Sequence, residues 1–248
     1  MKILVALKQV PSRDSALRLN AAASWIDDAD LTYEINEPDA YALEAALQLK
    51  EQHGGEVVVL CAGPEGAAAS VREALAKGAD RAIHIEQDGL DSLDTLALST
   101  LLANTAREES PELILTGLQS DDLGSGQTGV VMTELMGLPH GTIIMAIEKL
   151  DGAIRVKREL EDGWFQHVTL PLPAVLTIQS GINKLRYATL MGIKKAKTKE
   201  LRVVSGAAVP ASQVRCTKVF LPSRAKQTQI LDSAAALAEK LKFEVRVI

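Results

Sequence analysis

Between Ile3 and Gly117, short apolar runs alternate with amphipathic stretches, and this alternation limits the fold more than any other feature. Ile3–Leu7, Val57–Cys61, Ala82–Ile85 and Leu113–Thr116 are apolar on successive residues. That pattern suits strands buried on both faces. Helical patterns fill the gaps. Asn36-Glu37-Pro38 opens the first, with proline where a missing N–H goes unfelt. Ala40, Leu43, Ala46 and Leu47 share a face, and His53-Gly54-Gly55 ends it. Gly63-Pro64-Glu65-Gly66 leads into a second helix through Val71, Ala74 and Leu75 to Gly78, and Leu93–Arg107 forms a third. Strand and helix in strict alternation imply a three-layer α/β/α domain with a mostly parallel sheet. Right-handed crossovers then bring the strand C-terminal ends to one edge, where such folds bind ligands.

The pattern changes after Gly117. A polar, glycine-rich loop, GLQSDDLGSGQTG, runs to Gly129, followed by a helix through Val131, Leu135 and Met136 and a strand over Thr142–Ile147. Asp151-Gly152 and Asp162-Gly163 are hairpin signals, so Ile154–Leu160 and Trp164–Leu170 are expected to form an antiparallel ribbon inserted before the strand Ala174–Ile178. From Leu201 the chain has small residues, Pro210 and Pro222, a helix near Gln229–Lys240 and a last strand over Phe243–Ile248. The expected division is an α/β domain over 1–200 and an arm over 201–248 that packs on another polypeptide.

Composition narrows the function classes. Aromatic residues are 3% of the 248, too few for a base-stacking platform on single-stranded nucleic acid. The net charge of −5 also disfavours nucleic acid, but it is unevenly spread. Gly181–Lys199 holds six cations and no Asp or Glu, which leaves −11 on the remainder. An acidic body with one basic segment is arranged for steering a partner. Cys61 and Cys216 make neither a disulfide framework nor a metal motif. The opening apolar run is too short for a signal peptide or a membrane span. The expectation is a cytoplasmic protein that does not insert into membranes.

The Gly117–Gly129 loop follows a strand and precedes a helix, so its glycines permit close backbone approach and the helix N-terminus offers an anion site. GxxxxGK[ST] is absent, and Gly124-Ser125-Gly126 falls one residue short of GxGxxG. From the residues alone, a phosphate cradle and a solvated loop with ordinary capping both stay open. Asp121-Asp122 fits helix capping better than metal binding, because no His or Cys stands at ligand spacing. His53, His84, His140 and His167 show no ligand spacing, and no nucleophile elbow or Cys–His pairing occurs. The expectation is a protein without its own catalytic acid–base residues and without a metal. In the basic segment, Leu190, Met191 and Ile193 lie among cations, as in a surface that steers an acidic partner and docks an apolar anchor. A solvated cationic face is the alternative.

These stretches together resemble the β subunits of electron transfer flavoproteins, the bacterial members most. The likeness spans nearly the whole chain: KILVALKQVP at the start, GADRAIHI over Gly78–Ile85, GLQSDDLGSGQTG, VKREL over Val156–Leu160, and above all LPAVLTIQSGINKLRYATLMGIKKAK over Leu172–Lys197. The resemblance implies an adenine-nucleotide-hydrolase-like fold and a heterodimer with an α subunit that carries most contacts to FAD. It implies a structural AMP held by Ala6, Asn36, Ala62, Gly117, Leu118, Gln119, Ser120, Asp121, Asp122, Leu123, Gly124, Ser125, Gly126, Gln127 and Thr128. Electrons would pass from flavin dehydrogenases to a quinone oxidoreductase or another acceptor. The partner-recognition loop would span 183–199, with Arg186, Tyr187, Leu190, Met191, Ile193, Lys194, Lys195 and Lys197 in contact and Leu190 as anchor. Arg13 stands where some members bring a Tyr toward the flavin, and the loop has Ser125-Gly126 where several have Asn. Two alternatives accompany this reading: an electron-bifurcating relative with a second FAD in the AMP pocket, and a stand-alone ATP- or AMP-binding protein.

Overall fold

A computed structural model describes residues 1–222 and 228–248. In chain order the elements are β1 (Lys2–Leu7), β2 (Gln9–Pro11), β3 (Tyr33–Ile35), α1 (Glu37–His53), β4 (Glu56–Gly63), α2 (Ala68–Lys77), β5 (Arg81–Glu86), α3 (Thr95–Glu109), β6 (Leu113–Gly117), α4 (Thr128–Met136), β7 (His140–Lys149), β8 (Ala153–Glu159), β9 (Phe165–Pro171), β10 (Ala174–Ile178), α5 (Leu190–Ala196), β11 (Leu201–Ser205) and α6 (Ala234–Glu239). The expected strands and helices of the α/β domain are all present. Helix α1 shows why: Glu37 and Asp39 occupy its first turn, Lys50 and His53 its last, and Gly54 at φ +70° stops it.

Nine strands form one sheet in the order β11-β5-β4-β1-β6-β10-β7-β8-β9. Strands β11 through β7 are parallel, and the hairpin β8–β9 adds an antiparallel edge. The expected ribbon is therefore a continuation of the sheet. The sheet buries both faces. Ile3, Val5, Val57 and Val59 meet Leu43, Ala46, Val71 and Leu75 of α1 and α2. On the other face, Leu4, Val58, Ile83 and Ile114 meet Leu101, Leu102, Ala106 and Met132 of α3 and α4. Burying a side chain of this size contributes roughly 1.5–3 kcal/mol.

The chain leaves β1 toward β4 on one side, while β6 and β10 lie on the other. The C-terminal ends of β1 and β6 thus flank the topological switch point, where adjacent connections diverge and leave a crevice.

Two expectations about the C-terminal region change. Leu201–Ser205 forms β11 and pairs in parallel with β5, so the expected arm begins inside the main sheet. Arg202 ties this edge strand down, its NH2 donating to Glu109 at 3.0 Å, while Arg81 bonds the same carboxylate at 2.5 Å. Phe243–Ile248 is not a strand: residues Lys240–Val245 make a π-helical turn after α6, and Arg246 follows at φ +59°. Beyond β11 the chain leaves Val214, Phe220, Leu221, Ile230, Phe243, Val247 and Ile248 exposed.

Candidate functional site: a cleft at the switch point and an exposed docking crest

The crevice between the ends of β1 and β6 is lined by Ala6, Leu7 and Lys8 from β1 and its exit, Asn36 and Asp39 at the start of α1, Ala62 from β4, and Thr116 and Gly117 from β6. Leu93, Thr95, Leu98 and Leu102 form one wall, and Leu118, Gln119, Ser120, Leu123, Ser125, Gly126, Gln127, Thr128 and Gly129 wrap the rest. Of the residues expected around a nucleotide, Asp121, Asp122 and Gly124 do not face this space. Lys8, Asp39, Thr116 and the leucines of α3 do, without having been singled out from the sequence.

Two buried polar residues at the start of α1 hold the crevice in shape. Asn36, 1% exposed, donates through Nδ2 to the Gln119 carbonyl at 3.0 Å and accepts the Asp121 N–H on Oδ1 at 2.9 Å. It therefore clamps the loop rather than capping its own helix. Asp39 accepts the Lys8 N–H on Oδ2 and the Gly117 N–H on Oδ1, each at 2.8 Å. It bridges the two strand ends past the point where they stop pairing. Burial pushes its carboxyl up to about 7, against the pull of those two N–H bonds, the Asn36 side chain and the Lys8 charge. Gly117 has no room for a side chain, since a Cβ there would stand 2.4 Å from Asp39 Oδ1.

Ion pairs brace the loop from outside. Lys8 Nζ bonds both oxygens of Asp122 at 2.7 and 2.6 Å, and Arg13 joins Asp121 at 3.2 Å as well as Glu37. Burial acts to raise the Asp122 carboxyl, but the bond and charge of Lys8, together with the bonds from Ser120 and the Leu123 N–H, outweigh it and the group lies below its ordinary range. Gly124 and Gly126 turn the loop at φ +62° and +63°, which glycine adopts without strain.

The loop then enters α4 with no side-chain cap. The free N–H groups of a helix start attract an anion, and here they open beside Gln127, Thr128 and the apolar wall of α3. A flat heterocycle against the leucines with an anionic group at the helix start fits this arrangement. Cys61 lies close by but is inert: burial, reinforced by the Asp39 charge, raises its thiol to about 12. Among the described residues no group of three or more His, Cys, Asp or Glu could hold a metal ion, and no helix is long and apolar enough to cross a membrane.

The basic segment lies on the α1–α2 side of the sheet and is not a plain loop. Thr189 caps the short helix α5 through a bond from the Gly192 N–H at 3.0 Å. Tyr187, Leu190 and Met191 are 93%, 87% and 63% exposed, and Ile193 is 46% exposed. Lys194, Lys195 and Lys197 surround them in solvent. Arg186 differs, being engaged by Glu44 and Glu51 of α1. Lys199 differs too, donating to the Leu75 carbonyl at 3.0 Å. Helix α5 sits on α2, where a Cβ at Gly192 would lie 2.3 Å from the Ala76 carbonyl oxygen. Gly192→Ala should therefore lift α5 and destabilise the fold by about 1–3 kcal/mol, the usual range for overpacking, measurable as a lower midpoint in denaturant. An unchanged midpoint would show that α5 is not held by this contact.

Comparison with known proteins finds relatives over the full length of the chain. The family model of the electron transfer flavoprotein domain matches residues 24–209. The chain is 35% identical to the electron transfer flavoprotein subunit beta of Methylophilus methylotrophus over 97% of its own length and 96% of that protein. It is 36% identical to the subunit beta of Syntrophomonas wolfei, over 100% of this chain and 98% of the relative. It is 35% identical to the mitochondrial subunit beta of Oryza sativa subsp. japonica over the full length of both.

Proposed function

Because this chain belongs to the electron transfer flavoprotein β-subunit family, we propose that it works as the β half of a heterodimeric electron carrier. In this reading the cleft at the switch point holds AMP, an α subunit carries most of the FAD site, and flavin dehydrogenases dock on the crest around Leu190. A quinone oxidoreductase or another acceptor receives the electrons. FAD supplies the redox chemistry, and this chain supplies binding, orientation and docking.

One observation carries the AMP assignment: the uncapped start of α4 opens into a cleft walled by Leu93, Leu98 and Leu102. The helix N-terminus suits a phosphate and the leucines suit a purine. The α subunit is supported by the exposed apolar side chains beyond β11, among them Phe220, Ile230 and Phe243. Large apolar side chains of this kind, left in water along the described residues of one region, mark an interface.

Co-expression with an α subunit, followed by release of the bound nucleotides and mass spectrometry, tests the reading. AMP together with a single FAD per heterodimer is expected. Two FAD and no AMP would place the chain with the electron-bifurcating relatives. Purification without an α partner together with ATP turnover would make it a stand-alone nucleotide-binding protein.

A further inference from the structure

Arg186 belongs to the cluster of cations expected to meet a partner, yet its guanidinium is bound to its own protein. Nε and NH2 donate to Glu44 Oε2 and Oε1 at 2.7 and 3.0 Å, and NH1 and NH2 donate to Glu51 Oε1 and Oε2 at 2.6 and 3.1 Å. This is a double fork, a geometry that a guanidinium can make and an ammonium cannot. Glu44 is only 5% exposed and is itself oriented by Gln48, whose Nε2 donates to Oε1 at 2.8 Å. Close by, Asn183 Nδ2 donates to the Tyr41 carbonyl at 3.1 Å. One end of the segment is thus fastened to α1.

The other end is fastened to α2. Arg72 donates to the carbonyls of Ala196 and Lys199 at 2.8 and 2.9 Å, Ala196 is buried, and Gly192 lies on Ala76. Between these two feet stand the most exposed apolar side chains of the segment, Tyr187 and Leu190. Such a crest would lose conformational freedom on every docking event if its feet were loose.

We propose that Arg186 is a positioning residue: its double fork onto Glu44 and Glu51 pre-organises the crest that carries Leu190 for a flavin dehydrogenase, without Arg186 touching that partner. The inference rests on the docking role assigned to the crest above. Glu44 supplies the sharpest discrimination, because a carboxylate buried on α1 is out of reach of a docked partner and bonds Arg186 directly.

The test is steady-state reduction of the intact heterodimer by its flavin dehydrogenase, with KM and kcat separated and bound AMP and FAD quantified. Arg186→Gln, Arg186→Lys and Glu44→Gln are each expected to raise KM by roughly five- to tenfold, with kcat and nucleotide content unchanged. Adding Glu44→Gln and Glu51→Gln to Arg186→Gln should cause little further loss, since all act through one contact. Should Glu44→Gln fail to fold, the exposed Glu51→Gln and Arg186→Lys decide the matter. The proposal is overturned if the glutamate variants keep the wild-type KM while Arg186→Gln raises it, or if Arg186→Lys restores KM fully; either result makes Arg186 a direct contact. Leu190→Ala run in parallel separates the two levels: a normal KM in that variant removes the docking role of the crest itself.

Discussion

Leu190→Ala will lower the rate of electron uptake from a flavin dehydrogenase at sub-saturating concentrations by roughly thirtyfold. The estimate follows from the side chain's surroundings. Leu190 is 87% exposed in the free chain, so truncation leaves no cavity and costs the fold almost nothing. If a partner pocket receives the side chain, the transfer energy lost is about 2 kcal/mol, which converts to the stated factor. The amounts of the nucleotides proposed to bind, FAD and AMP, should be unchanged, as no crest residue lines the cleft. The surrounding Lys194, Lys195 and Lys197 make a second signature: raising the salt concentration should slow association in the wild type and the variant alike, because screening acts on the charges and not on the anchor. Normal uptake by the variant would remove Leu190 from the interface.

The contrast between Leu190 and Arg186 shows which parts of the chain could be read before the structure. Leu190 is an apolar residue in a cationic stretch, a local anomaly visible within ten residues. Arg186 looked like one more free cation because Glu44 and Glu51 stand 142 and 135 positions earlier. The parallel sheet was legible for a similar reason. A strand buried on both faces is apolar at nearly every position, and β1, β4 and β6 announce this in the runs Ile3–Leu7, Val57–Cys61 and Leu113–Leu115. Strand β11 was not legible, because Leu201–Ser205 is an edge strand with Arg202 and Ser205 in it, and its place depends on the distant Glu109. The alternation Phe243-Glu244-Val245 has the strand period, but among the described residues it meets no sheet edge and coils instead.

The cleft divides in the same way. Its loop carries a recognisable run of glycines and polar residues, so its place at a strand end was readable. The residues that shape it were not, because each acts across the fold. Asn36, expected near a nucleotide, lines the cleft, and its clamp on Gln119 and Asp121 came only with the fold. Asp121 and Asp122 were weighed as helix caps and are held by Arg13 and Lys8. Asp39 carried a weak signal, an acid in the first turn of a helix, and that signal is usually explained by the helix dipole alone.

Asp39 also yields a prediction of distinct form, a change in how stability depends on pH. Burial raises its carboxyl from 3.8 to about 7 in the folded protein. The folded state therefore holds this proton more tightly than the unfolded chain does. The stabilisation from that proton is complete below the unfolded value and is lost as pH rises through about 7. Over that interval the loss amounts to about 4 kcal/mol, at 1.36 kcal/mol per unit. Asp39→Asn cannot ionise and removes this dependence. It also gives up one of two backbone N–H bonds, since an amide has a single acceptor oxygen and its NH2 would face the other N–H. That change costs about 1–3 kcal/mol at any pH. Near pH 4.5, where about 1 kcal/mol of the proton's stabilisation is already lost, the variant heterodimer should still be no more stable than the wild type, and by pH 8 the order should reverse in favour of the variant. Denaturant midpoints at matched protein concentration across that range measure it. A gap that stays constant with pH would mean that Asp39 remains an ordinary carboxylate at the junction of β1 and β6. In that case its two N–H bonds, and not its burial, would set its charge.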